Sequence, residues 1–453
     1  MGTSIGQHQV SRRRLLGGVG ALGLVGATHL AGPPGALATP VRAAPAPVLG
    51  PRFAQEWIQA SYDLTWREGP SPTNAARCYA YLALGMYEAC VAGMPQHRSL
   101  GGQLTGLGRL PVPRGRIDWP TSLAASAHAV STTLYATAAP ERLTALDLLR
   151  DTQIAQRRAA GTPATTIARS ARHGRAVGAA LGDWIARDGH AEIQGLSYTP
   201  PVGESMWVST PPNFRPAIEP YWSRIRPMVM SSAGEVTPVP HLPFSTDPAS
   251  AFHAEAMVVL ETGRALTDEH RAIARFWTDN PLLSGLPSGH WMLIVSQVAT
   301  AQGLSLAQTL EAYVRLGVAL HEAFLSCWTA KYRDNLLRPV TYINRHIDPA
   351  FTTFVNTPQF PEYTSGHSVA SRAASTVLTD LLGQVSFVDD SHRDRALPAR
   401  SYSSFTDAAD EAARSRIYGG IHFPMGIENG KSHGDAVGRV VLERLHTRRR
   451  SDS

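Results

Sequence analysis

The chain has 453 residues, of which 43% are hydrophobic and 17% are charged, so it can bury a large core, which at this length usually divides into two. The formal net charge is +6. Residues 1–44 contain four arginines and no acidic residue, so the rest of the chain has a net charge of 6 − 4 = +2. Because no run of five like charges occurs either, the composition argues against a nucleic-acid-binding surface.

The first 44 residues have the layout of an export signal. The stretch SRRRLLGG at 11–18 places basic residues before a segment rich in Leu, Gly, Ala and Val, and ALA at 36–38 supplies small residues for cleavage. Paired arginines after a serine are typical of the twin-arginine pathway, so we expect a secreted protein. The alternative is an uncleaved membrane anchor. No later apolar run reaches about 18 residues, which predicts no stable membrane anchor after cleavage.

Apolar residues recur with a helical period along most of the chain, whereas strand-like alternation is rare. The fold is therefore predicted to be all-α. The expected helices are 74–94, 120–137, 141–159, 163–187, 250–265, 267–278, 290–302, 306–335, 367–383, 405–416 and 427–447. Candidate caps support several starts, namely Asn74, Thr162 followed by Pro163, Thr267 and Ser404.

The composition changes between about 188 and 249. Eleven of the 33 prolines lie from Pro200 to Pro248, which excludes a long helix there, and the aromatic stretches MWVSTPPNF and EPYWSRIRP indicate that the segment packs over the surface. No internal repeat is visible. We therefore predict an N-terminal helical bundle at 45–187, a connecting segment at 188–249, a C-terminal bundle carrying the functional site at 250–447, and a tail at 448–453.

The stretch KYRDNLLRP at 331–339 places two cations in an apolar setting. Lys331 and Arg338 are seven residues apart, two helical turns, so we expect both to project from one helix face, with Pro339 ending the helix. Such a pair would be unremarkable on a solvated face. Trp328 and two leucines surround it, however, and cations among apolar groups require an anionic partner.

The stretch TSGHS at 364–368 offers three further polar groups: the hydroxyl of Ser365, the backbone N–H of Gly366 and the imidazole of His367. The sequence that follows predicts a helix, whose first turn directs free N–H groups and the positive end of its dipole at whatever lies in front. That arrangement suits an oxyanion. An isolated SGH triplet is nevertheless a weak signal.

The stretch SRIYGGIHFP at 415–424 adds a third cation and a second histidine. Arg416 stands six residues before His422, and two glycines between them allow a tight bend that could bring guanidinium and imidazole to one ligand. The alternative is a helix end followed by a loop with a surface histidine.

Together the three stretches supply three cations, two histidines, a hydroxyl and a backbone donor. This set fits a tetrahedral oxyanion of charge about −2, with one histidine at the central atom and the other moving protons. The order K-x6-R-P, S-G-H, S-R-x5-H resembles the signature shared by type 2 phosphatidic-acid-phosphatase-like acid phosphatases and vanadium-dependent haloperoxidases. The resemblance implies an all-α fold of two helical bundles.

In the family that the motif order resembles, the SGH triplet lies between the other two motifs, whereas a second triplet in this chain, PSGH at 287–290, lies before both. It runs into WMLIVSQVA, so it reads as a loop entering a packed helix. His290 is therefore excluded from the anion site in favour of His367.

The flanking sequence is similar to that of vanadium chloroperoxidases and their bacterial relatives, from about residue 205 to 430. Trp328, three before Lys331, and Phe360, seven before His367, match the aromatic residues that line the halide pocket in that family. The stretch FWTDNP at 276–281 resembles the segment whose aspartate orients the acid–base histidine, which nominates Asp279 as the partner of His367. The alternatives are that the aromatic residues belong to the core and that the aspartate caps a helix.

The resemblance implies an exported vanadate-dependent haloperoxidase that oxidises chloride or bromide with hydrogen peroxide and halogenates a small organic acceptor. His422 would be the apical vanadium ligand, and His367 would be the acid–base group. The residues expected to hold the vanadate oxygens are Lys331, Arg338, Ser365, Gly366 and Arg416. Lys331 would also polarise bound peroxide.

Two other functions are compatible with the same residues. The first is a secreted acid phosphatase with His422 as nucleophile and His367 as general acid, because phosphate and vanadate are near isosteres. The second is a non-catalytic helical protein that retains an oxyanion pocket. The sequence predicts neither the organic acceptor nor the oligomeric state.

One position departs from the family pattern. The family usually continues His-x3-Asp, and that aspartate orients the apical histidine, whereas this chain has Gly426 there. A ligating histidine normally has an outer partner on its other nitrogen. We expect Glu428 or a backbone carbonyl to take that place; otherwise vanadate binding would be weakened or lost.

Overall fold

The computed structural model describes residues 49–449, so the predicted signal peptide lies outside the described residues. Within that range the regular secondary structure is helical apart from one antiparallel strand pair, β1 (Phe387–Asp389) and β2 (Arg400–Tyr402). The all-α prediction is therefore confirmed. None of the helices in residues 49–449 combines the length and the apolarity that a bilayer crossing requires.

The N-terminal group contains five long helices, the first of which has no counterpart among the predicted helices. They are α1 (Arg52–Glu68), α2 (Pro72–Glu88), α3 (Trp119–Leu134), α4 (Pro140–Ala159) and α5 (Ala164–Ile185). Helices α3 and α5 approach closely because small residues face each other. A Cβ atom at Gly174 would lie only 2.1 Å from the backbone oxygen of Ser122, so no larger residue fits there.

The connecting segment contains a short helix, α6 (His190–Ile193), and one turn of 3-10 helix (Trp222–Arg224), and otherwise runs in extended and turn conformations. It is anchored to the C-terminal group by backbone pairing: the N–H of Trp207 donates to the oxygen of Asn335 at 2.7 Å. Glu322 anchors it a second time, because its Oε1 atom accepts from the N–H groups of Met228 and Val229 at 2.6 Å each. The segment therefore packs against the bundle, as its aromatic content suggests.

The C-terminal group contains eight helices and the strand pair. The helices are α7 (Ala251–Arg264), α8 (Asp268–Phe276), α9 (Leu286–Ala301), α10 (Leu306–Asp334), α11 (Pro339–His346), α12 (Gly366–Leu382), α13 (Phe405–Tyr418) and α14 (Pro424–Arg444). Helix α10 is buried along nearly its whole length, and α2, α9, α12 and α14 pack around it. This central helix carries Trp328 and Lys331 into the interior.

Residues 49–449 belong to one compact unit, in which α2 of the N-terminal group packs along α10 of the C-terminal group. The predicted boundaries at 187 and 249 are based on the change in composition and stay predictions. Residue 447 and the first two residues of the predicted tail, 448 and 449, pair with the loop at 96–98, and Arg448 forms an ion pair with Glu311 at 3.0 Å.

Helix starts are set by caps, two of which match the predictions. Thr267 and Ser404 cap α8 and α13 by accepting from the N–H groups three residues on. Two others differ. Helix α2 begins earlier because Ser71 is the cap and Pro72 the first helical residue, and Pro163 itself stands at the cap position of α5.

Candidate active site

Lys331 and Arg338 come from different elements, so the prediction of one shared helix face is wrong. Helix α10 ends at Asp334, because Asn335 adopts the left-handed conformation, with φ of 48°. Arg338 is extended (φ −80°, ψ 154°), the conformation that the following proline favours, and it precedes the first turn of α11. Both side chains are nevertheless fully buried.

Arg338 is held by three of its donor hydrogens and leaves one nitrogen free. Its Nε donates to the oxygen of Phe360 and its Nη1 to the oxygen of Ile421, both at 2.9 Å, and Nη1 also donates to Nε2 of His422 at 3.2 Å. Nη2 is buried without a hydrogen-bond partner. Burial lowers the pKa of Arg338 to about 10, so the guanidinium is still charged at neutral pH.

Lys331 is predicted to hold an oxyanion oxygen, but in the structure it binds backbone oxygens instead. Its Nζ donates to the backbone oxygens of Pro361, Glu362 and Thr364 at 3.0, 2.8 and 2.5 Å. An ammonium group has three donors, so the carbonyl oxygens occupy all of them. In this structure Lys331 therefore holds the 361–364 segment that leads into the second motif, and burial lowers its pKa to about 8.

The second motif starts helix α12. Ser365 is the cap residue, and its Oγ accepts from the N–H of Ser368 at 3.4 Å, which leaves its own hydroxyl hydrogen available to donate. Gly366 is the first residue of the helix and lines the cavity described below. The helix N-terminus thus directs a backbone donor and a partial positive charge at that cavity.

His367 lies in the same first turn, but its partner is not the predicted one. One ring nitrogen interacts with the backbone oxygen of Trp277, and Nε2 is buried without a partner. The predicted partner, Asp279, makes its hydrogen bonds to Ser284 and His290, at 2.8 and 2.9 Å, and reaches His367 only through its charge. Burial and the nearby Arg416 lower the pKa of His367 well below its ordinary value, so the ring is neutral.

Arg416 is anchored beside His367. Its Nη2 donates to the oxygen of Trp277 at 2.7 Å and its Nε to Oγ of Ser415 at 2.8 Å. One carbonyl oxygen therefore positions both the third cation and the acid–base candidate. Burial lowers the pKa of Arg416 to about 10, and the charge of Asp279 opposes that effect.

His422 has a carboxylate partner that the sequence reasoning missed. Its Nδ1 lies 2.7 Å from Oε1 of Glu362, which also accepts from the N–H of Phe423 at 3.1 Å. Glu428, the predicted replacement, is exposed and pairs with Lys431 at 2.6 Å. The sequence feature that could have indicated it is that Glu362 is the one acidic residue in PEYTSGH, the stretch that contains the second motif.

A cavity of about 420 Å³ opens above these groups. Gly366, His367, Arg416 and His422 line it, whereas Lys331, Arg338 and Ser365 lie behind the lining residues. Its apolar wall includes Trp328 and Phe360, whose ring centroids are 4.7 Å apart, together with Phe324 and Ile218. The remaining wall is formed by the 210–215 stretch of the connecting segment and by the loops at 279–283 and 356–359.

The cations and histidines of the three motifs interact with one another. Arg338 contacts His422 directly, and the charges of Arg338, Lys331 and Arg416 all lower the pKa of His422 well below its ordinary value, after burial. The five side chains Lys331, Arg338, His367, Arg416 and His422 are therefore gathered at one place. Of these five side chains, only Lys331 has all of its donors occupied by backbone oxygens.

His290 lies outside the cavity, as the motif order predicts. It belongs to the first turn of helix α9, and its Nδ1 and Nε2 lie 2.9 and 2.7 Å from carboxylate oxygens of Asp279 and Asp389. The two carboxylates raise the pKa of His290 to about 10, despite its burial. A fully buried imidazolium thus holds Asp279 in place.

Comparison with known proteins identifies the family. Residues 346–450 match a family model described as the VCPO second helical-bundle domain. The crystal structure of a bacterial vanadium-dependent iodoperoxidase is similar with a TM-score of 0.82 and 36% sequence identity, covering 88% of this chain and 97% of that one. The chain belongs to the vanadium-dependent haloperoxidases. This haloperoxidase is thus a peroxidase with a vanadate cofactor, and its substrates are hydrogen peroxide and a halide.

More distant structures share the fold. An apo-type bacterial vanadium-dependent chloroperoxidase is similar with a TM-score of 0.62 at 14% identity, covering 83% of this chain and 94% of that one. A holo-type one has a TM-score of 0.58 at 14% identity, with 88% and 93% covered. No curated protein sequence matches the haloperoxidase.

The polar groups at the cavity fit vanadate. Nη2 of Arg338 lacks an acceptor and Nε2 of His367 lacks a partner, although both are buried. A protonated oxyanion offers the first an acceptor and the second a donor. The charges agree as well: the three buried cations have two neighbouring carboxylates, Glu362 and Asp279, and Asp279 is already paired with His290, so positive charge is left uncompensated.

Proposed function

We propose that this haloperoxidase is exported and uses hydrogen peroxide to oxidise chloride or bromide, and iodide as well, to a hypohalous acid equivalent that halogenates small organic acceptors. One observation carries the proposal. Arg416, His422 and His367, whose Nε2 has no partner, line one cavity together with Trp328 and Phe360, whose ring centroids are 4.7 Å apart.

Each group in that cavity has a distinct task. Vanadate, when bound, supplies the Lewis-acidic centre at which hydrogen peroxide is activated towards halide. Arg338 and Arg416 would hold its oxygens, with Ser365 and the N–H of Gly366 as further donors, and His422 would hold the central atom. His367 is neutral because its pKa is depressed, so its free Nε2 can take a proton from hydrogen peroxide and return it to the departing oxygen.

The interaction of His367 with the backbone oxygen of Trp277 indicates which ring nitrogen carries the hydrogen and which can act as a base. A carbonyl oxygen only accepts, so the ring nitrogen that faces Trp277 carries the hydrogen. The remaining nitrogen, Nε2, then has its lone pair free. His367 is thus pre-oriented as a base, with Trp277 in the place that Asp279 was expected to fill.

The halide range follows from the oxidation order of the halides. Iodide is the easiest of the three to oxidise and chloride the hardest, so an enzyme that oxidises bromide also oxidises iodide. The similarity to an iodoperoxidase at 36% identity supports iodide directly. Trp328 and Phe360 support chloride, because they match the aromatic residues expected in a chloroperoxidase halide pocket.

Export is proposed from residues 1–44 alone. The stretch SRRRLLGG, the apolar segment after it and the small residues at 36–44 support a twin-arginine signal. Expression of the full chain in a bacterium with and without a functional twin-arginine translocase tests it. We expect a shortened protein outside the cytoplasm only when the translocase works; retention in both strains would overturn the proposal.

The catalytic proposal is tested on purified residues 45–453. Halogenation of a 1,3-diketone is measured with peroxide and iodide, bromide or chloride in turn, with and without added orthovanadate, beside hydrolysis of a nitrophenyl phosphate. We expect vanadate to switch halogenation on. Vanadate-inhibited phosphate hydrolysis without halogenation would instead identify an acid phosphatase, the second function that the same oxyanion-binding residues support.

A further inference from the structure

Glu362 is a fully buried carboxylate behind His422, on the side away from the cavity. Its Oε1 lies 2.7 Å from Nδ1 of His422 and accepts from the N–H of Phe423, the next residue along the chain. Its backbone oxygen is one of the three that Lys331 holds, so the residue is fixed at both ends.

Glu362 occupies the space that a side chain at position 426 would need. A Cβ atom added to Gly426 would lie 2.3 Å from Oε1 and 2.9 Å from Oε2 of Glu362, closer than any real contact. An aspartate at 426 is therefore incompatible with Glu362 in its present position. The two positions are alternatives for one carboxylate, and this chain uses 362.

The contacts of His422 determine which ring nitrogen carries its hydrogen. Nη1 of Arg338 lies 3.2 Å from Nε2 of His422, and a guanidinium only donates, so Nε2 is the acceptor. An imidazole that has no hydrogen on one ring nitrogen carries it on the other, so Nδ1 carries the hydrogen and donates it to Glu362. Nε2 is thereby left without a hydrogen, as a metal ligand requires, and in this structure its lone pair accepts from Arg338.

We propose that Glu362 is the positioning residue for His422. It fills the role of the aspartate that the family usually has where this chain has Gly426. This inference rests on the proposed function, because it assigns His422 to the vanadate centre. Glu362 acts by fixing the tautomer and the ring orientation of His422. It touches neither vanadate nor substrate.

A reciprocal exchange tests the proposal. E362Q and E362A should each weaken orthovanadate binding roughly tenfold to hundredfold, as measured by calorimetry on the vanadate-free protein. G426D alone should also weaken it, because the new side chain collides with Glu362. The double variant E362A/G426D should recover most of the lost affinity, since the carboxylate returns to the same space from the other side.

The control is E255Q. Oε2 of Glu255 accepts from the N–H of Met425 at 2.7 Å, so this carboxylate also supports the start of α14, but it does not contact His422. We expect E255Q to bind orthovanadate as the wild type does. Losses of affinity that are equal in E255Q and E362Q, or a double variant no better than E362A, would show that Glu362 only stabilises the fold and would overturn the proposal.

A spectroscopic measurement keeps this inference separate from the proposed function. In protein with 15N-labelled histidine and no vanadate, the His422 signals are assigned by their loss in H422N. We expect the wild type to carry hydrogen on Nδ1 and E362A to show a mixture of tautomers. Hydrogen on Nε2 in the wild type would overturn the inference even if vanadate binds. Failure of the wild type to bind vanadate contradicts the proposed function but leaves the tautomer result decisive for Glu362.

Discussion

The carboxylate of Asp279 lies 2.9 Å from Nδ1 of His290 in the fully buried interior, and the other ring nitrogen lies 2.7 Å from Asp389. One imidazolium therefore bridges two carboxylates. Charges buried this deeply require partners, and removing one partner leaves the others uncompensated. Asp279 also faces Arg416 and His367 through its charge, so the bridge fixes a carboxylate next to the active site.

H290Q should destabilise the protein in a pH-dependent way. The folded pKa of His290 is raised to about 10, so its stabilising charge is present in full below its unfolded pKa of about 6.5 and is lost as the pH rises towards 10. We expect the variant to be less stable by about 3–5 kcal/mol at pH 6, and the difference to narrow towards pH 10. Urea unfolding at several pH values measures it.

The control for that series is H128Q. His128 is half-buried and pairs with Asp147, an exposed carboxylate, at 2.9 Å. Its replacement should cost less than about 1 kcal/mol. A destabilisation of H290Q that does not change between pH 6 and pH 10 would show that His290 is a neutral packing residue, contrary to the contacts described above.

R338K tests the free nitrogen of Arg338. Lysine keeps the charge but cannot hold Phe360, Ile421 and an oxyanion oxygen together, because it lacks the planar fork of donors. We expect orthovanadate to bind roughly tenfold to hundredfold more weakly, measured by calorimetry. R333K is the matched control, since Arg333 is partly exposed and pairs with its neighbour Asp334. Equal affinities in wild type and R338K would exclude Arg338 as an oxygen ligand.

The sequence predicts the helical fold and the grouping of the three motifs, because both depend on local patterns. Helical periodicity and the order of the motifs are readable without knowing which helices pack together. His290 could be set aside in favour of His367 on that order alone. The structure places His290 outside the cavity and His367 within it.

The partners of these residues could not be predicted, because they come from distant parts of the chain. Trp277 reaches His367 through a backbone oxygen, which has no sequence signature. Asp279 has the expected position but is bound by His290, eleven residues away. Glu362 is separated from His422 by 60 residues, and only the tight packing at Gly426 shows that it fills the missing aspartate's space. Tertiary contacts of this kind override the local pattern.

K331M distinguishes a structural lysine from an anion-binding one. It removes three donors and leaves three buried carbonyl oxygens in the 361–364 segment with fewer partners. We expect the vanadate-free protein to lose about 3 kcal/mol or more of its free energy of unfolding. The control is K431M, because Lys431 is partly exposed and pairs with Glu428. If K331M changed vanadate binding without changing this free energy, the predicted contact of Lys331 with the anion would be its main role.

F360L tests the aromatic wall of the cavity. The ring of Phe360 packs against Trp328, and the charged groups of Lys331 and Arg338 lie 5.1 and 5.0 Å from its centroid. Its loss removes two cation–π contacts, each about 0.5–2 kcal/mol, and part of the apolar surface next to the cations. We expect the KM for bromide to rise about fivefold, an effect of about 1 kcal/mol, with a smaller change in kcat. Steady-state bromination at saturating vanadate measures both constants.

F214L is the control, because Phe214 is 63% exposed in the neighbouring connecting segment. A bromide KM that is unchanged in F360L, or raised equally in F214L, would exclude Phe360 from the halide site and leave it as a core aromatic residue.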